Sequence, residues 1–226
     1  MEALLLLHGA IGAKDQLEPL AEKLKSNFSI HTLSFGGHGG EPMPDTFSIE
    51  VFAQDVLNYL NRNKIEKINI FGYSMGGYVA LYLAKQHPHK VKKVFTLATK
   101  FSWNPEIAQK EIRMLDAAKI EEKIPAFAKA LEQRHVPHSW KDLLKKTADM
   151  MIALGNKNSL SLEDLESIGI PVTVSVGDSD NMVTMDETKA MARHLPQGKL
   201  QVFQDMLHPI EKVDLEELSD EIVSFF

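Results

Sequence analysis

The 226-residue sequence has no cysteine. That excludes disulfides, thiolate metal sites and a cysteine nucleophile. It also has no basic excess: 25 Lys and Arg stand against 31 Asp and Glu, a net charge of −6. Nonspecific nucleic-acid binding needs a basic surface that displaces counterions, so nucleic acid is not an expected partner. Long apolar runs are missing as well. The opening run, Ala3–Leu7, stops after five residues at His8-Gly9. A membrane helix needs about 20 apolar residues, and a secretory leader needs roughly 7–15 behind a basic start. Position 2 carries Glu instead. The expectation is a cytoplasmic protein with no membrane partner. Internal repeats and low-complexity tracts are absent too, and 44% apolar with 25% charged residues is the balance of an ordinary globule. A chain this long can bury roughly 70–75% of its unfolded surface and needs no staples.

What is present is a rhythm of short apolar runs followed by amphipathic stretches, the pattern of parallel βα units. The runs are Ala3–Leu7, Ile30–Ser34, Ile68–Phe71, Val94–Leu97, Val172–Val176 and Leu200–Phe203. They lack polar alternation because a parallel sheet is covered on both faces. Between them the spacing predicts helices over Ile49–Asn61, Met75–Gln86, Asp186–His194 and Leu215–Phe225. Residues 100–160 break the rhythm. They contain no convincing strand and read as three helices, Glu106–Lys119, Pro125–Arg134 and Ser139–Leu154, with Gly155 as a stop. The expected fold is α/β: a mostly parallel sheet of about six strands, helices on both faces, and an inserted helical cap. The core comprises residues 1–99 and 161–226, and the cap 100–160. In open α/β sheets ligands bind at the C-terminal edge of the strands, where such a cap would lie.

The most informative segment is Phe71-Gly72-Tyr73-Ser74-Met75-Gly76-Gly77, set between an apolar strand and a helix-forming run. Gly-x-Ser-x-Gly in that setting is a nucleophile elbow, a sharp turn that exposes the serine. The following helix N-terminus aims free N–H groups at a substrate oxygen. His8-Gly9-Ala10 follows the first strand, Phe35-Gly36-Gly37-His38-Gly39 the second, Val176-Gly177-Asp178-Ser179-Asp180 the fifth, and Met206-Leu207-His208 the sixth. Together these segments make the sequence resemble the α/β-hydrolase superfamily over nearly its whole length. The resemblance implies Ser74 as nucleophile, His208 as base and Asp180, three residues past Gly177, as the acid, with Asp178 the rival. It implies an oxyanion hole built from the N–H groups of Ala10 and Met75. Two features depart from the family pattern. The opening antiparallel strands of fuller members are missing, and Leu207 and Pro209 flank the histidine where many relatives have glycine before it.

Nine histidines compete for the base. His31, His87, His89 and His194 read as surface residues, His135 and His138 as cap residues, and His8 as part of the oxyanion turn. His38 is the rival to His208. The pair His135-Val136-Pro137-His138 lacks helical spacing and a third ligand, so no metal is expected, nor any organic cofactor. Residues 100–160 carry 11 basic and 8 acidic side chains, whereas 161–226 carry 4 and 14. The trio implies a serine hydrolase, carboxylesterase-like, cleaving esters or thioesters of small soluble molecules through an acyl-serine. The alternative is the same triad used for elimination or C–C cleavage on an acidic metabolite, as in lyases of menaquinone synthesis or hydrolases of aromatic degradation. A basic cap would suit that substrate.

Overall fold

A computed structural model describes all residues 1–226. Its strands are β1 (Glu2–Leu7), β2 (Phe28–Leu33), β3 (Ile68–Tyr73), β4 (Val91–Leu97), β5 (Val172–Gly177) and β6 (Gly198–Phe203). They form one sheet in the order β2-β1-β3-β4-β5-β6, and every neighbouring pair is parallel. The helices outside the β4–β5 connection are α1 (Glu18–Leu24), α2 (Ile49–Arg62) and α3 (Met75–Gln86), with two more near the C-terminus. That connection holds α4 (Pro105–Glu111), α5 (Ala117–Lys123), α6 (Pro125–His135), α7 (Trp140–Asn156) and the single turn α8 (Leu162–Leu165). The C-terminal pair is α9 (Met185–His194) and α10 (Leu215–Phe225).

The four leucines Leu4–Leu7 show why the strands read as unbroken apolar runs. All four are fully buried, and each contributes about 2 kcal/mol by leaving water. Successive side chains point to opposite faces. Leu5 and Leu7 therefore pack in one layer with α2, α3 and α9, and Leu4 and Leu6 in the other with α1 and α10. Strand order reverses at β1. The chain goes outward to β2, then returns past β1 to β3 and runs the other way. The crevice at such a switch lies beyond the C-terminal ends of β1 and β3, the ends that carry His8-Gly9-Ala10 and Ser74.

The helical insert differs from its sequence reading in two places. The stretch Glu106–Lys119 is not one helix. α4 ends at Glu111, a 3₁₀ turn spans Ile112–Leu115, and α5 begins after Asp116, whose carboxylate accepts the Lys119 N–H at 3.2 Å. Aspartate competes with interior helix hydrogen bonding and favours an N-cap. Nor does Gly155 stop α7, which continues to Asn156. A Cβ there would stand 2.8 Å from the Asn104 carbonyl, so the glycine is what lets the start of α4 lie against α7. Ile120, Leu131, Trp140 and Leu144 form a small core within the insert, while Leu143, Met150 and Leu154 join the core above the sheet.

Candidate active site

Ser74 sits between β3 and α3 with φ 50° and ψ −116°. A side-chain-bearing residue held there costs roughly 1–3 kcal/mol, and the surroundings must enforce it. They do so by crowding. A Cβ on Gly72 would lie 2.5 Å from the Gly77 backbone, and one on Gly76 2.4 Å from the Leu7 carbonyl. The Ser74 N–H donates to the Leu97 carbonyl at 2.8 Å, and the Thr99 hydroxyl donates to the Ser74 carbonyl at 3.1 Å. The turn is thus clamped between β1 and β4, with the hydroxyl at the crevice.

Two N–H groups lie at the same cavity without a protein acceptor, those of Ala10 and Met75. Met75 opens α3, where the first N–H groups have no partner inside the helix. Facing them is His208, whose Nδ1–H donates to Asp180 Oδ2 at 2.8 Å. The other oxygen of Asp180 accepts the N–H groups of Met182 and Val183, both at 2.8 Å. Burial alone would raise the Asp180 pKa, but the bond and charge from His208 and the two N–H donors outweigh it and hold the carboxyl low. Asp178 is turned to another task, accepting the Asp205 N–H at 2.7 Å and so tying the β5 loop to the histidine loop. The Tyr73 hydroxyl fixes that loop from below through the His208 carbonyl at 3.0 Å. Ser74 and His208 line the same cavity without a direct hydrogen bond between them; such contacts commonly tighten only when substrate binds.

The cavity has an inner part of about 50 Å³ and an outer part of about 330 Å³. The insert roofs both: Trp103, Met150 and Leu154 line the inner part, and Met114, Leu115 and Phe127 the outer. Two charged residues that sequence reasoning did not single out also line the inner part, Lys100 and Glu111. Lys100 follows β4 at the ligand-binding edge of the sheet, a placement legible in the sequence; Glu111 carried no such signal.

His38 does not reach the cavity. It is fully buried beside His8, ring centroids 5.1 Å apart, with Nδ1 on the Gly36 carbonyl. His8 donates from Nδ1 to the Gly9 carbonyl and accepts the Phe35 N–H at Nε2, bracing the turn before Ala10. His135, read as a cap residue, is also buried. Its Nε2–H meets the Ile11 carbonyl at 3.0 Å and its Nδ1 accepts the Gly39 N–H at 3.1 Å, so the insert is tied to the turn that carries Ala10. His138 is engaged by the Glu41 carbonyl.

Burial drives the pKa of all three clustered imidazoles down. His8 falls from 6.5 to about 4, with the Gly9 bond opposing the shift and His135 adding to it. His38 falls well below its ordinary value through burial and then the neighbouring His8, and His135 falls through burial against the pull of the Ile11 carbonyl. Unfolded, His8 takes up a proton below pH 6.5 that it refuses in the folded chain until about pH 4, and the lowered His38 and His135 act in the same direction, so stability drains as pH falls through that window. His8 alone accounts for roughly 3 kcal/mol. Urea unfolding midpoints are expected to drop steeply from pH 7 to pH 4.5, and a flat profile over that span would contradict the buried neutral cluster.

A parallel sheet, a strained serine at its switch point and a histidine–carboxylate pair on the later loops define a class of protein. Residues 2–117 match the family described as alpha/beta hydrolase fold, and the chain belongs to that family. Pimeloyl-acyl-carrier-protein methyl ester esterase of Neisseria meningitidis is 32% identical over 94 residues, 42% of this chain and 35% of that protein. Several of the curated relatives that the chain matches are aligned over only about a third of their length. Among solved structures, a thermophilic esterase from Thermogutta terrifontis superposes with a TM-score of 0.80 at 21% identity, covering 99% of this chain and 89% of that one. The enol-lactonase from Burkholderia xenovorans LB400 gives 0.79 at 21%, covering 99% and 90%. No helix is long and apolar enough to cross a membrane.

Proposed function

We propose that the protein is a serine hydrolase that cleaves carboxylic esters or thioesters of small soluble molecules through an acyl-serine intermediate. The observation that carries this reading is the convergence on one cavity of Ser74, two N–H groups without acceptors, and an imidazole held by a buried carboxylate. A serine hydroxyl is a weak nucleophile at neutral pH and needs an adjacent base. His208 Nε2 takes the Ser74 proton as Oγ attacks the carbonyl carbon, and Asp180 holds the ring in the tautomer that leaves Nε2 free. Negative charge on the carbonyl oxygen is met by the Ala10 and Met75 N–H groups, each such donor being worth about 3–4 kcal/mol in the transition state. Collapse expels the alcohol or thiol, which takes the proton from His208. Water, deprotonated by His208 in turn, releases the acid and regenerates Ser74. No step calls for a metal or organic cofactor. The names of the relatives agree with this chemistry, since esterases and lactonases open the same bond.

The insert roofs the cavity at Ser74, and the acyl group it admits is expected to be small to medium. A fluorophosphonate probe should label the protein at Ser74, and turnover of p-nitrophenyl esters should peak at short acyl chains and decline steeply beyond them. Emulsified long-chain triglycerides should be refused. Met114 and Phe127 are exposed at the outer mouth, but 19 of the 61 residues in 100–160 are charged, which interrupts any broad apolar face. Activity that jumps as substrate passes from monomer to emulsion would defeat the small-ester reading.

A further inference from the structure

Lys100 and Glu111 are the charged side chains that line the inner cavity beside Ser74, and their partners are unequal. The Lys100 ammonium donates to the Met182 carbonyl at 2.7 Å and lies 4.0 Å from Glu187 and 3.5 Å from Glu111. Glu187 is saturated. It accepts the N–H groups of Phe101, Ser102 and Thr184 and the Thr184 hydroxyl, all at 3.0–3.2 Å. Glu111 is not. Its side chain is only 5% exposed, its one ionic partner is Lys100 at 3.5 Å, and no N–H or O–H group donates to it at hydrogen-bond distance. Glu111 therefore faces the cavity with acceptor capacity unused, and a ligand cation there would gain a charge-assisted hydrogen bond. Charge points the same way. Lys100 is held between two carboxylates, Glu111 at the cavity and Glu187 behind it. Of the basic residues in 100–160, Lys100 lines the inner part and Arg134, paired with Asp15, the outer part, where Glu111 and Glu211 also stand.

We propose that Glu111 is the specificity-determining residue of this site and that the substrate is an ester bearing a protonated amino group, which the Glu111 carboxylate receives beside the scissile carbonyl. Lys100 is shared between Glu111 and Glu187 and spends its hydrogen bond on the Met182 carbonyl, so the Glu111 carboxylate keeps acceptor capacity for substrate. An anionic substrate brings a like charge to Glu111 and is disfavoured. This inference rests on the serine-hydrolase reading and sharpens its substrate class.

Three esters with the same leaving group test it: β-alanine ethyl ester, protonated at pH 7; ethyl butyrate, its neutral isostere; and monoethyl succinate, an anion. Ethanol release gives kcat/KM for each. The cationic ester is expected to exceed the neutral one by about 10-fold, the scale of one charged hydrogen bond, and the anionic ester to be slowest. In Glu111→Gln the cationic-to-neutral ratio should fall to within about 3-fold of one. The wild-type ranking needs no variant to fold. If the probe labels Ser74 and esters turn over with the neutral or anionic one equal or preferred, this inference is overturned while the hydrolase reading stands. If neither labelling nor turnover of any ester occurs, both fall together.

Discussion

Ser74→Ala should reduce hydrolysis of a short-chain p-nitrophenyl ester by at least ~10³-fold, with the fold unchanged by circular dichroism and urea midpoint. The expectation follows from what the variant leaves behind. The Ala10 and Met75 N–H groups and the Asp180–His208 pair all remain, so substrate still binds and its carbonyl is still polarised. Only the nucleophile is gone, and residual rate must come from water attacking unassisted by covalent chemistry. The backbone of residue 74 is a second handle. At φ 50° and ψ −116° alanine inherits the strain of serine, whereas glycine adopts such angles freely. Ser74→Gly should therefore be as inactive as Ser74→Ala yet more stable, by up to about 1 kcal/mol. Retention of more than a few per cent of wild-type activity by either pure variant would remove Ser74 from the mechanism.

Asp180→Asn should lower kcat by roughly 10³–10⁴-fold, while Asp178→Asn should cost less than about 10-fold. The two carboxylates are two residues apart in the chain but do different things. Asp180 is buried against His208 at 2.8 Å, and an amide there presents its own N–H toward Nδ1, forcing the ring into the tautomer whose Nε2 cannot accept the Ser74 proton. Its loop should survive the change, because the retained amide oxygen can still accept the Met182 and Val183 N–H groups. Asp178 accepts the Asp205 N–H, and asparagine keeps an oxygen for that bond. Steady-state kinetics of the two variants at one pH decide the matter. A large loss in Asp178→Asn with little in Asp180→Asn would reverse the assignment.

Much of this protein was legible in its residues, for a physical reason. Burial on both sheet faces forces strands such as Ile68–Tyr73 to be apolar throughout, and the elbow needs small residues at Gly72 and Gly76 in immediate sequence proximity to Ser74. Signals of that kind are local, so the six strands, the parallel α/β class, the helical insert and the elbow at Ser74 could be named from the chain alone, whereas Asp180 and His208 were named through the resemblance to the α/β-hydrolase superfamily. Local signals that compete were misread: helical periodicity ran across Asp116, where capping won, and a close helix approach at Gly155 passed for a stop. Tertiary structure alone decided which groups meet. It set His135 against the Ile11 carbonyl across 124 residues, Tyr73 under the His208 carbonyl across 135, and Glu187 against the N–H of Phe101 across 86. It also decided that Glu111 would be left with one ionic partner inside the pocket. Sequence periodicity records whether a side chain is buried; which polar group it finds there depends on how distant segments pack, and no short stretch of chain encodes that.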